Sequence, residues 1–159
     1  MTDCPACKRN QAADRGEDPW AVARLTTGYV KVHEIRYFRG YTFFVAKDCV
    51  AELHELEVDA RDAHLAEMAE VAHAVVEAFQ PQKLNYEALG NSVRHLHWHL
   101  IPRRSDDPRP WGPVWEDLEF LRAVWTGAPR YDESERDELR EALFRALQRR
   151  PVRIEQFYV

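Results

Sequence analysis

The chain lacks the features that mark export, membrane insertion and nucleic acid binding. Its 159 residues include only three cysteines, an odd number that cannot all pair in disulfides. No apolar run approaches the roughly 20 residues that a membrane span needs. The first ten residues, MTDCPACKRN, hold no apolar segment typical of a secretion signal. These absences predict a cytoplasmic protein with no membrane partner.

Basic residues are also fewer than acidic ones. The chain has 22 basic and 27 acidic residues, which gives a formal net charge of −5. A global basic field for a nucleic acid polymer is therefore absent, although a local phosphate site is not excluded. At 45% hydrophobic and 31% charged residues the composition is that of a globular protein. The length fits one domain over residues 1–159.

Hydrophobic periodicity predicts an α+β fold with an antiparallel sheet. Apolar residues between Val58 and Phe79 recur at steps of three and four, which indicates one face of a helix that Pro81 closes. Two hairpins are predicted, because β-rich segments flank short turns at Arg39-Gly40 and at GNS. The order β-β-α-β-β followed by a helix is typical of an α+β fold. In chain order, we predict a loop or arm at 1–24, strands within 25–35, 37–48, 83–89 and 93–102, an extended loop with a short helix around Leu118–Val124, and a final helix at Glu133–Arg149.

Six of the seven histidines fall into two groups. His54, His64 and His73 fall in or near the predicted central helix, where solvated polar positions are expected. The stretch HLHWHLIPR, residues 95–103, instead places three histidines at alternate positions. In a strand, alternate residues share one face, so Trp98 would point the other way, into the core. Buried imidazoles need partners, which leaves metal binding, nucleophilic chemistry or a mixture of the two.

The run His-φ-His-φ-His-φ-φ, where φ is apolar, resembles the histidine triad (HIT) superfamily. The flanking segments LNYEALGNSV and IPR are similar to the phosphate-binding hairpin of that family. The resemblance is to bacterial zinc-containing members of the diadenosine polyphosphate hydrolase type. It implies a HIT-like fold with a long central helix and a C-terminal helix, a homodimer, and a nucleotide substrate.

The resemblance also implies roles for the residues in and before the triad. His97 would be the nucleophile that attacks the α-phosphorus of a nucleotide, and His99 would hydrogen-bond the phosphate or the leaving group. Near neutral pH an imidazole can attack without a separate base. Backbone N–H groups of a glycine turn can form an anion-binding nest. The substrate-binding residues implied are Asn85, Gly90, Asn91, Ser92 and Arg103, the last being equally compatible with a plain surface position.

The three cysteines fit a metal site that the same resemblance implies. Cys4 and Cys7 form a C-x-x-C pair, and Cys49 stands where bacterial members carry a third ligand, usually histidine. His95 would be the fourth ligand, giving a Cys₃His set that is ordinary for structural zinc. The alternative is a disordered arm with free thiols. A redox pair is less favoured, because C-x-x-C redox sites sit at a helix start within a βαβ pattern that this N-terminus lacks.

Departures from the family pattern leave the substrate open. Asn91 stands where the family commonly has glutamine, and the acidic residue that holds the ribose aligns only loosely with Glu34. Segment 104–159 extends beyond the similarity, and its tryptophan-rich RPWGPVW either covers a base or packs in the core or an interface. Dinucleoside polyphosphates lead as the predicted substrate, with nucleoside phosphoramidates second and nucleotidyl transfer third. The rivals are a non-catalytic nucleotide-binding module and a protein that binds metal through all three histidines.

Overall fold

Six antiparallel strands form one sheet in this computed structural model, which describes residues 3–159. The strands are β1 Ala21–Leu25, β2 Gly28–Val32, β3 Thr42–Ala46, β4 Lys83–Glu87, β5 His97–Arg103 and β6 Ile154–Phe157. The helices are α1 Pro5–Asp14, α2 Val58–Phe79, α3 Leu118–Thr126 and α4 Glu133–Leu147. The strand order is β4-β5-β3-β2-β1-β6. Within residues 3–159 no helix is both long and apolar enough to cross a bilayer.

One face of the sheet carries the main hydrophobic core. Helices α2 and α4 cover it with their apolar stripes, and inward-facing strand residues such as Phe44 and Leu100 are fully buried there. Trp98 packs against the same core, as its position between two histidines predicts. Alternate residues of β3 and β5 therefore point away from this core, and His97 and His99 lie on the opposite face.

The opposite face is shaped by the pairing of three strands. In the register of β3 with β5, Val45 lies opposite His97 and Phe43 lies opposite His99. In the register of β4 with β5, Glu87 lies opposite His99. Residues opposite each other in an antiparallel pair project to the same side of the sheet. The two histidines therefore stand in a row of side chains that three strands contribute.

Most of the predicted elements are confirmed. The predicted helix has the observed bounds of α2, and Gln80 ends it in the left-handed region just before Pro81. The first predicted hairpin is β2 paired with β3, and its turn uses Gly40 at φ +84°, where the backbone packs against the ring of Phe79. The second is β4 paired with β5. The short helix and the final helix are α3 and α4, and both start at aspartate caps.

The N-terminal prediction is wrong for the described part of the arm. Residues 1 and 2 lie outside the described residues, but α1 begins at Pro5, which occupies the first helical turn where a missing N–H costs nothing. Strand β1 follows within the same segment and pairs with β2 and β6. The last strand, β6, was also not predicted. It returns the chain after α4 to the edge of the sheet beside β1.

His64 corrects the expectation that the helix histidines are solvated. Only 1% of its surface is exposed, and its ring stacks on Phe44 with 4.8 Å between ring centroids. The indole N–H of Trp98 donates to Nε2 of His64 at 3.2 Å, so Nδ1 carries the hydrogen and donates to the Thr27 hydroxyl, also at 3.2 Å. Burial lowers the pKa of His64, which keeps the ring neutral in this network. His73, in contrast, is exposed as expected.

Candidate active site

His97 presents its Nε2 atom as the free nitrogen of the ring. Its Nδ1 lies 2.6 Å from the backbone carbonyl oxygen of His95. A carbonyl oxygen can only accept, so Nδ1 must carry the hydrogen and donate it. In the neutral ring the lone pair is then on Nε2, the nitrogen required for attack on an electrophile. The contact is local, because His95 lies two residues before His97, the first residue of β5.

His99 is held in the opposite tautomer. Its Nδ1 is hydrogen-bonded to the hydroxyl of Tyr41, a buried residue one position before β3. If that phenol accepted from the ring, its own hydrogen would have no partner among the described residues, so we assign the tyrosine as the donor. Nε2 of His99 then carries the hydrogen. Burial, with His97 and His33 as smaller contributions, lowers the pKa of His99 to about 3, which keeps the ring neutral.

His33 is a further histidine of the site that the motif did not reveal. Its ring stacks on Tyr41 with 4.4 Å between centroids, and its Nδ1 accepts from the backbone N–H of Ile35 at 2.9 Å. Burial, with a smaller effect of Arg9, lowers its pKa to about 4. The alternation of the first hairpin places His33 on the same side as Tyr29 and Lys31, which is the only sequence signal that could have found it.

A cavity of about 460 Å³ joins these groups. His33, Tyr41, His97 and His99 line one side of it, and the turn between β4 and β5 lines another. Gly90 opens this turn at φ +62°, a conformation that favours glycine. The predicted substrate-binding residues that reach the cavity are Gly90, Asn91 and Ser92.

Two predicted substrate-binding residues lie elsewhere. Arg103 is 2% exposed, so it is not a plain surface residue, and it does not line the cavity. Its guanidinium forms an ion pair with Asp107 at 2.9 Å and donates to the carbonyl oxygens of Gly112 and Arg109. It also donates to the Asn85 side chain at 3.2 Å. Arg103 thus holds segment 104–112 against the sheet, and Asn85 is part of that network.

Glu34, which aligns loosely with the acidic residue that holds the ribose in the family, also lies outside the cavity. The carboxylate of Glu34 pairs with Arg130 at 3.4 Å, and its backbone carbonyl accepts from the N–H of Tyr131. Glu34 lines a smaller depression beside Arg9 and Trp20. On the histidine cavity itself the acidic residue is Glu87, whose pKa is raised by burial.

The four predicted metal ligands come together on the other side of the triad. The ligand atoms of Cys4, Cys7, Cys49 and His95 all lie within 4.8 Å of one another. Nδ1 of His95 is 3.4 Å from Sγ of Cys4 and 3.7 Å from Sγ of Cys7. Ligand atoms about 2.0–2.3 Å from a tetrahedral zinc ion stand roughly 3.3–3.8 Å apart, so these separations fit that ion.

His95 belongs to this cluster and not to the row of strand side chains. It is fully buried and precedes β5, which corrects the expectation of three histidines on one strand face. Its Nε2 lies 2.8 Å from the carbonyl oxygen of Ala46, so Nε2 carries the hydrogen and Nδ1 is free to bind a metal. The C-x-x-C pair does lie at a helix start, contrary to the expectation, but α1 is followed by an antiparallel hairpin and not by a βαβ unit.

Comparison with known proteins identifies the fold that carries these residues. A model of the HIT domain matches residues 37–106. A histidine triad protein from Sinorhizobium meliloti superposes with a TM-score of 0.68 at 24% identity, over 86% of this chain and 93% of that one. One from Bradyrhizobium japonicum gives a TM-score of 0.69 at 26% identity, over 80% and 89%. This chain has the histidine triad fold. A search of curated proteins found no match.

The HIT match covers the triad and stops before the C-terminal part. Residues 37–106 include β3, α2, β4 and β5, and therefore His97, His99 and the glycine turn. A Zn-bound histidine triad family protein from Mycobacterium smegmatis also shares the fold, with a TM-score of 0.56 at 19% identity over 84% of this chain and 91% of that one. Cys4, Cys7 and the segment with α3 lie outside the matched range.

Proposed function

We propose that this protein hydrolyses nucleotides at the α-phosphorus through a covalent intermediate on His97. One observation carries the proposal: two histidines of one strand share a cavity in opposite tautomers. Nε2 of His97 offers a lone pair, and Nε2 of His99 offers a hydrogen, with 4.8 Å between the ring centroids. A nucleophile and a hydrogen-bond donor side by side suit displacement at phosphorus. The match to the HIT domain and the histidine triad neighbours support the same class of activity.

The two steps follow from these positions. Nε2 of His97 attacks the α-phosphorus, a P–N bond forms, and the bond from phosphorus to the leaving group breaks with its electron pair going to the leaving group. His99 donates a hydrogen bond to the phosphate or to the departing atom. Water then displaces His97 and releases the nucleoside monophosphate, and the sum is hydrolysis. Backbone N–H groups of the turn at Gly90–Ser92 are placed to bind phosphate oxygens.

We also propose that Cys4, Cys7, Cys49 and His95 bind one structural zinc ion. The four ligand atoms lie within 4.8 Å of one another, and the two separations from Nδ1 of His95 to Cys4 and Cys7 match a tetrahedral zinc site. The Zn-bound neighbour of the same fold supports the proposal. When bound, zinc would supply a cross-link between α1, the segment that follows β3 and the segment that precedes β5. The nucleophile follows His95 by two residues, so the ion would stabilise the start of the catalytic strand. The homodimer and the cytoplasmic location stay predictions from the sequence.

Turnover measurements test the proposed hydrolysis. Wild-type protein should release adenosine monophosphate from at least one of two substrates, adenosine 5′-phosphoramidate and diadenosine tetraphosphate. His97→Ala should abolish release, because no other described group offers a lone pair at that point of the cavity. His73→Ala, which makes the same change on the exposed face of α2, should leave the rate unchanged. Equal rates for His97→Ala and wild type would refute the proposal, and no turnover of either substrate would favour a binding module.

A further inference from the structure

The second step of the hydrolysis needs a proton acceptor. When water attacks the covalent intermediate, a P–O bond forms and the P–N bond breaks with its electron pair returning to Nε2 of His97. One proton of the attacking water must then be removed, and this nitrogen is bonded to phosphorus and has no lone pair to accept it. We propose, on the basis of the hydrolysis proposed above, that the carboxylate of Glu87 is the general base that takes this proton.

The other histidines of the cavity are held as donors. Nδ1 of His99 is the acceptor for the Tyr41 hydroxyl, so its Nε2 carries a hydrogen. Nδ1 of His33 accepts from the backbone N–H of Ile35 at 2.9 Å, so Nε2 of that neutral ring carries a hydrogen as well. Burial lowers the pKa of His99 to about 3 and that of His33 to about 4, so neither ring gains a second proton near neutral pH. Neither histidine can therefore accept a proton from water.

Glu87 is the last residue of β4 and lies directly opposite His99 in the register with β5. Residues paired in this way have their Cβ atoms about 5 Å apart and project to the same side of the sheet. The side chain of Glu87 accordingly lines the same cavity as His97 and His99. Burial and, secondly, the charge of Glu87 raise the pKa of Tyr41, the residue behind His99. The carboxylate is thus close to the hydrogen-bond donor that the proposed mechanism places on the phosphate.

The surroundings of Glu87 leave its carboxylate free to act as a base. Among the described residues that line the cavity, it is the one carboxylate, and lysine and arginine are absent. Burial raises its pKa, and Arg103, engaged with Asp107 at 2.9 Å, opposes this only in part. The segment that carries α3 faces the cavity with apolar side chains alone. A raised pKa makes a carboxylate a stronger base than an ordinary glutamate.

The same carboxyl group closes the proton balance of the cycle. After the second step Glu87 holds the proton from water, and the nucleoside monophosphate carries the new hydroxyl on phosphorus. In the first step on the next substrate, the protonated Glu87 can give this proton to a leaving group that requires one. The sum over both steps is one water consumed and no net change at Glu87 or His97.

A substrate whose leaving group needs no proton separates the two steps. The 4-nitrophenyl ester of adenosine 5′-monophosphate releases nitrophenolate when His97 attacks. In Glu87→Gln, which keeps the size of the side chain but removes the base, one nitrophenolate per active site should appear at the wild-type rate. Further turnover should be about 100-fold slower than in wild type, because the second step has lost its general base. The covalent adduct should accumulate in the variant, as intact mass will show. Glu119→Gln, an exposed position of α3 away from the cavity, is the matched control and should behave as wild type.

The pH profile and chemical rescue distinguish a base from a structural residue. In wild type the second step should slow as pH falls through the pKa of Glu87, because the protonated carboxyl cannot accept. Glu87→Gln should lose this dependence, whereas the titrations of His33 and His99 at lower pH are common to both proteins. Formate, which can occupy the space of the missing carboxylate, should speed the second step of Glu87→Ala at least about tenfold. It should have no effect on Glu119→Ala.

Three results would overturn the inference. These are wild-type rates for both steps in Glu87→Gln, a lower rate in that variant without a nitrophenolate burst, and no rescue of Glu87→Ala by formate. In each of them wild type still hydrolyses the ester through His97, so the proposed function stands. Absence of nitrophenolate release by wild type, or release by His97→Ala at the wild-type rate, would instead refute the proposed function, and the inference would fail with it.

Discussion

The hydroxyl of Tyr41 is hydrogen-bonded to Nδ1 of His99, and this contact sets which nitrogen of the ring faces the cavity. Burial raises the pKa of Tyr41, so the phenol keeps its hydrogen and can act as the donor. His97 has the opposite tautomer, because its Nδ1 donates to the backbone carbonyl oxygen of His95 at 2.6 Å. Two identical side chains on one strand thereby differ in hydrogen bonding: Nε2 of His97 is an acceptor and Nε2 of His99 is a donor.

Removing the Tyr41 hydroxyl should impair catalysis through His99. In Tyr41→Phe, Nδ1 of His99 loses its donor and the ring is free to change tautomer, so kcat should fall about 10- to 100-fold, as for other partners that orient a functional histidine. The ¹⁵N shifts of the His99 ring nitrogens should change with it. Tyr131→Phe is the control, because its hydroxyl is buried without a partner among the described residues. Unchanged kcat and shifts in Tyr41→Phe would show that the contact has no functional role.

The third cysteine should decide zinc content. We expect one zinc per wild-type chain by mass spectrometry, little in Cys49→Ala, and a fall in Tm of at least about 4 °C for a loss of ~2–3 kcal/mol. Cys49→His should retain zinc, because imidazole is an equivalent ligand and position 49 is exposed enough to admit it. Equal zinc in wild type and Cys49→Ala would exclude Cys49 as a ligand.

His33 should make the protein less stable in mild acid. Its folded pKa of about 4 lies below the ordinary 6.5, because burial and Arg9 disfavour the charged ring. Between these values the unfolded chain binds a proton that the folded chain does not, so stability falls as pH falls. From pH 7.5 to pH 5 this one group removes about 2 kcal/mol.

The variant His33→Asn should therefore lose less stability than wild type over the same pH range. The asparagine oxygen can still accept from the N–H of Ile35, so the local turn is kept. Urea unfolding at the two pH values measures the difference directly. Parallel losses in wild type and variant would mean that His33 is not the group that titrates.

The buried contact between His64 and Trp98 should contribute to stability. In His64→Leu the indole N–H of Trp98 loses its acceptor in the core, which costs about 1–3 kcal/mol. His73→Leu, on the exposed face of the same helix, provides the reference for a change in helix propensity alone. Urea unfolding of both variants is the measurement. An equal effect at the two positions would contradict the assigned hydrogen bond.

The elements that the sequence predicted correctly are those whose signals lie within their own segment of the chain. The bounds of α2 follow from a long apolar stripe and Pro81, both contained in the segment itself. Helix α1 has no such stripe, so periodicity could not reveal it. Strand β6 has only four residues, and its place beside β1 depends on a pairing across most of the chain.

The site shows the same limit. The triad motif and the glycine turn lie in one short segment, which is why they pointed to His97 and His99. The metal ligands followed only from the family resemblance, because Cys4 and Cys7 form a short pattern while Cys49 and His95 lie far along the chain. The partners that define their chemistry come from elsewhere: Tyr41 from before β3, and the carbonyl oxygen of Ala46 behind His95. Arg103 lies beside the motif, but its guanidinium pairs with Asp107 and donates to the carbonyl oxygen of Gly112. No local pattern predicts the path of segment 104–112 that brings these groups to it.

The most direct test is the intact mass of the protein, quenched with base within milliseconds of mixing with adenosine 5′-phosphoramidate. Base is used because phosphorus–imidazole bonds hydrolyse readily in acid. Wild type should gain the mass of one adenosine monophosphate unit, and the adduct should map to His97 and be absent from His97→Ala. His73→Ala should form it as wild type does. Turnover by wild type with an adduct on another residue, or persistence of the adduct in His97→Ala, would contradict covalent catalysis by this histidine.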